Sequence, residues 1–212
     1  AEAALAPWRS QDAPAEVLFA RGLLRQYRHD FRGGLADLQR TLELDPGHEG
    51  ARAWRAAIFM VRAEYDAAAR ECAALPPDEL YSIACSAYVQ ATTGGAREGY
   101  ARLLKASAEK DAEPEDRLWV RTRLAEMAWR LGDLAAAERH FREALALGIE
   151  DNFLLAAYAD FLLEGGRPRD AIALLRERTR SDTLLLRLAL AQKAAGSAEA
   201  DASIRALGER FA

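Results

Sequence analysis

The sequence holds two cysteines, three histidines, three lysines and seven prolines among 212 residues. Two cysteines exclude a disulfide-built mini-protein, and a chain of this length buries enough surface to need neither such staples nor a structural metal. The low proline content, with half the residues apolar and 29% charged, excludes a disordered chain or a flexible linker. β-Branched residues are scarce while 47 alanines and 30 leucines dominate, which favours helices over sheets. No apolar run reaches the roughly eighteen residues of a membrane span. The longest, around residues 184–191, is interrupted by Arg187. A basic face is missing too: the net charge is −4 and the arginines do not cluster, so nucleic acid is not an expected partner.

Catalytic motifs are absent as well. There is no phosphate-binding G-x-x-x-x-G-K-[ST], no H-E-x-x-H, no G-x-S-x-G, and no strand to carry a dinucleotide fingerprint. His29, His48 and His140 stand alone, each read as a solvated or capping imidazole, so no metal and no cofactor are expected. The acidic run 111–116 lacks the alternating oxygens and the glycine of a calcium loop and reads as a solvated loop ahead of a helix.

What is present is a period. Residues 18–48, 126–151 and 158–180 each read as an apolar helix, a turn marked by Gly or Asp, and a second apolar helix. Anchors at Ala15, Glu49, Leu80, Leu118 and Asn152 are spaced by 34, 31, 38 and 34 residues. The eighth position of each unit is small (Gly22, Ala56, Ala87, Ala125, Ala159), and so is the twentieth (Gly34, Ala68, Gly99, Ala137, Ala171). Close crossing of two helices demands this, because a bulky residue would hold the axes apart. Leu38, Leu103, Phe141 and Leu175 follow four residues later, with Cys72 in the remaining unit.

With these small positions, the large apolar residue at twenty-four and Pro46 closing the first unit, the chain resembles the tetratricopeptide-repeat family, in its bacterial members, over roughly residues 15–185. The resemblance implies an all-α fold: a right-handed α-solenoid of antiparallel helix pairs, with about five repeats and a C-terminal capping pair. The repeats would run 15–48, 49–79, 80–117, 118–151 and 152–181. Residues 1–14 would form an extended lead-in, with Trp8 folded back, and residues 182–212 the cap, with a stripe of Ala200, Ile204, Leu207 and Phe211.

The resemblance also implies a non-catalytic protein-interaction scaffold, with ligands in a concave groove lined by positions two, five, nine, twelve and thirteen of the first helices. These positions carry Phe19, Tyr27, Tyr81, Tyr88, Trp119, Trp129 and Phe153, seven aromatics in twenty-five places, each read either as lining the groove or as core filling between neighbouring repeats. Their charged members are Glu16, Glu126, Asp160, Glu164 and the base Arg130. A protein or peptide segment with apolar anchors and a basic residue would suit such a groove. The family's clamp for chaperone tails is not reproduced, since Phe19 and Leu23 occupy its first-repeat places. A glycosidase-like reading with Glu126 and Asp160 as paired acids has no other support. A scaffold arm of a larger enzyme or cell-envelope assembly remains the alternative.

Cys72 and Cys85 flank the Pro76-Pro77 turn, with an axial offset of roughly 4–5 Å on antiparallel helices. They are read either as two small buried hydrophobes or, in an oxidising compartment, as a bridge. That bridge and the opening Ala1 in place of Met lean the expected localisation toward an exported, periplasmic protein rather than a cytoplasmic one.

Overall fold

The structure, a computed structural model, describes residues 13–210, so the readings of Trp8, of most of the lead-in and of Phe211 lie outside the described residues. Twelve helices and no strand make up these residues, an all-α fold of the solenoid class. The chain divides at Lys110/Asp111 into two compact units.

The first unit contains α1 (Ala15–Tyr27), α2 (Phe31–Leu44), α3 (Glu49–Val61), α4 (Tyr65–Ala73), α5 (Leu80–Thr92) and α6 (Ala96–Glu109). Side-chain caps mark where two of these helices, α2 and α3, begin. The Asp30 carboxylate accepts from the Gly33 N–H at 2.9 Å and His48 Nδ1 from the Ala51 N–H at 3.2 Å, each filling an amide that the first turn leaves unpaired. His48 is thus a capping imidazole, and its ring lies 4.5 Å from that of Phe19. His29 and Ala63 adopt the left-handed conformation, at φ 61° and 59°, in the turns between paired helices. Glycine fills the corresponding turns at Gly94, Gly132, Gly166 and Gly196, where it avoids the Cβ penalty of that conformation.

Packing within each pair follows the small positions. Gly22, Gly34, Ala56, Ala68, Ala87 and Gly99 are all buried, and Leu38, Cys72 and Leu103 beside them are 0%, 3% and 0% exposed. A Cβ on Gly34 would sit 3.2 Å from the Gly22 carbonyl oxygen, and one on Gly99 only 2.6 Å from that of Ala87. These are backbone-to-backbone approaches, which no side-chain repacking relieves. Cys72 of α4 and Cys85 of α5 are bonded with Cα atoms 5.6 Å apart, within a cluster of Ala56, Ala68 and Val89.

One feature of the first unit is ionic. Asp37 of α2, fully buried, accepts from Arg21 Nε at 2.8 Å and Nη2 at 2.6 Å, and from Arg25 Nη1 at 2.8 Å, both on α1. Arg25 also donates to the Gly33 carbonyl at 3.2 Å. The bidentate pairing with Asp37 holds the Arg21 guanidinium pKa above its ordinary value against the opposing cost of burial.

The second unit contains α7 (Pro114–Arg130), α8 (Leu134–Leu145), α9 (Asn152–Glu164), α10 (Pro168–Leu175), α11 (Asp182–Ala194) and α12 (Ala200–Glu209). Pro114 and Pro168 open α7 and α10, where the missing N–H costs nothing. Helix α7 therefore begins at Pro114, ahead of the anchor Leu118. The Asp133 and Asp151 carboxylates cap α8 and α9 through the Ala136 and Leu154 N–H groups at 2.9 and 2.7 Å. Ala125, Ala137, Ala159 and Ala171 are fully buried, as are Phe141 and Leu175. In α12 the apolar stripe is less enclosed than its spacing implies: Ala200 is buried, but Ile204 is 46% exposed.

His140 departs from the solvated or capping reading. It is buried on α8, its Nδ1 3.4 Å from Glu143 Oε2. Burial holds its pKa below the ordinary 6.5; Glu143 opposes this, whereas Arg121 and Arg139 reinforce it. The unfolded chain therefore takes up this proton first, and the stability present above pH 6.5 erodes as pH falls through that value. In thermal melts between about pH 7.5 and 5.5, the wild type should lose melting temperature more steeply than His140→Gln. Parallel curves would assign the acid sensitivity to other groups.

Candidate functional site

The residues singled out from the sequence fall into both units, so each first-helix face is described within its own unit. In the first unit, Phe19 is half-buried and packs on the cluster of Leu38, Leu42, Ala51 and Ile58, so it fills space between neighbouring helix pairs. Tyr27, at the end of α1, is 67% exposed and meets the edge of Trp54 on α3 at 5.9 Å. Tyr81 of α5 is half-buried and donates its hydroxyl to the exposed carboxylate of Glu49 on α3. Burial first, and that hydrogen bond second, push the Tyr81 pKa up to about 12, so the phenol stays neutral throughout the physiological range. Tyr88, about two turns further along α5, is also half-buried.

In the second unit, Trp119 of α7 and Phe153 of α9 share one cation. The Arg123 guanidinium lies 4.1 Å from the centroid of Phe153, which is 45% exposed, and 5.8 Å from that of Trp119. Arg123 also pairs with Glu126 at 2.9 Å. Trp129 is half-buried, pinned edge-on against Phe161 at 5.6 Å, and donates its indole N–H to Glu164 at 3.3 Å. Arg130, next in sequence, is exposed. Asp160 receives two hydrogen bonds from Arg187 of α11, at 2.8 and 2.7 Å. Glu126 and Asp160 are thus each held by an arginine, an arrangement that suits fixed ion pairs and not a mobile acid and base.

Chemically, these faces offer aromatic area held in place by a neighbour, with a few oriented polar groups between. Among the described residues no cluster of three or more His, Cys, Asp or Glu could hold a metal ion. No described helix is long and apolar enough to cross a membrane.

No protein-family model matches the chain, and no curated protein matches it. Solved structures do. PilW, a widely conserved type IV pilus biogenesis factor, superposes with a TM-score of 0.64 at 18% identity over 93% of both chains. A thermophilic tetratricopeptide-repeat protein of Thermus thermophilus gives 0.68 at 18% identity, over 84% of this chain and 98% of that one. PilF of Pseudomonas aeruginosa gives 0.57 at 21% identity, over 95% and 91%. The chain has the tetratricopeptide-repeat fold.

In tetratricopeptide-repeat terms, the sequence reading misses one position. Trp54, Arg123 and Arg187 each stand sixth in their helix pair, counted from Glu49, Leu118 and Asp182, and each reaches a neighbouring first helix. Cys85, counted from Leu80, is sixth as well. With Ala20 and Ala157 in the remaining units, this position follows no residue-type pattern, and a reading confined to positions two, five, nine, twelve and thirteen does not sample it. Leu186 and Leu190, 44% and 50% exposed on α11, are missed for a different reason, since the capping pair receives no binding positions.

Proposed function

We propose that this chain is a non-catalytic protein-interaction scaffold that binds a peptide or protein segment on the first-helix faces of its repeats. The observation that carries the reading is the contrast in burial: every small residue at positions eight and twenty is buried, whereas none of the seven aromatics on the first-helix faces is. Half-exposed aromatics fixed by a neighbour present large contact area at little cost in entropy, as binding hot spots do. Phe19 contributes least, because its ring is taken up by packing. The partner is protein; neither a cofactor nor nucleic acid enters this reading.

A second reading is favoured by the likeness to PilW and by the Cys72–Cys85 bond. A scaffold within a cell-envelope assembly would meet the oxidising conditions in which such a bond persists, consistent with an exported, periplasmic chain. The two readings share the binding face and differ in what else the assembly holds.

The test is affinity capture from an extract of the source organism with wild type beside Tyr88→Ala/Trp129→Ala, both checked by circular dichroism. A partner held by wild type and at least about tenfold depleted on a still-helical variant is the expected result. Equal capture by both proteins would move binding off these faces.

A further inference from the structure

We propose that the corner where Trp129 of α7 meets Glu164 of α9 anchors a cationic side chain of the bound segment, an arginine in preference to a lysine. The inference rests on the first-helix face being the binding face, and it deepens that reading by placing the partner's base. Three observations converge on the corner.

First, Glu164 differs from the other acids of this face. Glu126 is matched by Arg123 and Asp160 by Arg187, whereas Glu164, exposed, receives the Trp129 indole N–H and is paired with no base among the described residues. Second, Glu164 is the last residue of α9, a helix with no lysine or arginine anywhere and none in its final turn. The carbonyls at that end carry the negative pole of the helix, so the carboxylate adds to a potential already negative and nothing in α9 offsets it. Third, the aromatic beside it is fixed. Trp129 stands edge-on to Phe161 at an interplanar angle of 86° and is only half-buried, which leaves indole surface next to the carboxylate.

A cation placed there would meet a carboxylate, a helix C-terminus and an indole together. A guanidinium suits this set better than an ammonium, because its plane stacks on the indole while its N–H groups pair with both carboxylate oxygens. The same unit already displays the principle in Arg123, which lies over Phe153 while paired with Glu126.

The probe is N-acetyl-arginine amide, titrated into ¹⁵N-labelled protein while the indole N–H resonance of Trp129, assigned through Trp129→Phe, is followed. A saturable millimolar shift is expected with the arginine compound, a weaker one with the lysine compound and none with N-acetyl-glutamate amide. Glu164→Gln, which keeps the indole partner and removes the charge, should weaken the arginine response about fivefold with the rest of the spectrum unchanged. An identical titration in Glu164→Gln, or an equal response to the glutamate compound, overturns the anchor. The titration needs no partner, so its failure alongside capture that depends on Tyr88 and Trp129 removes the anchoring point alone. Capture that ignores those residues removes the binding face itself.

Discussion

Asp37→Ala is expected to destabilise the protein by about 3–5 kcal/mol, because it takes the countercharge away from an Arg21 guanidinium that is 8% exposed. The desolvation of these charges is offset in part by the three hydrogen bonds that Asp37 accepts, from Arg21 twice and from Arg25. Arg25 is about one-third exposed and can turn to water, so the loss falls mainly on Arg21. Chemical denaturation followed by circular dichroism measures it. A control separates pairing from packing: Arg21→Met/Asp37→Leu replaces both charges by apolar groups and should recover most of the loss. A double variant as unstable as Asp37→Ala would mean that the ionic geometry itself is required.

Gly99→Leu carries the second large expectation, a loss of about 3 kcal/mol. The new Cβ would stand 2.6 Å from the Ala87 carbonyl oxygen and 3.4 Å from the Ala91 Cβ, so α5 and α6 must separate to admit it. The better helix propensity of leucine, worth up to about 1 kcal/mol, does not offset that separation. Gly208 in α12 is the comparison, since a Cβ there meets nothing within 4 Å. Gly208→Ala should be neutral or slightly stabilising in the same assay. Equal effects at the two glycines would contradict the close-crossing account.

These two sites show why one part of the fold is legible in the sequence and another is not. A backbone-to-backbone crossing excludes side chains whatever the neighbours are, so Gly22, Gly34, Gly99 and the alanines at positions eight and twenty announce the helix pairs directly. The Arg21–Asp37–Arg25 network has no such signature: sixteen residues separate Arg21 from Asp37, and each alone looks like an ordinary surface charge until α1 and α2 bring them together. Binding residues lie between these cases. Tyr27 and Phe153 are exposed, whereas Phe19 turns into the packing of the next pair, and spacing alone does not distinguish the two outcomes. The charges of the face are the least legible part. Glu126 and Asp160 look like free acids in the sequence, and only the sixth-position arginines on α7 and α11 neutralise them.

The central claim is that partners engage the first-helix faces and not the second helices. Site-specific photo-crosslinking tests it most directly, with benzoylphenylalanine installed at Phe153 on α9 or at Leu134 on α8, side chains 45% and 54% exposed. In an extract of the source organism, a discrete crosslinked product from position 153 and none from position 134 is the predicted result. A product from position 134 alone would contradict it.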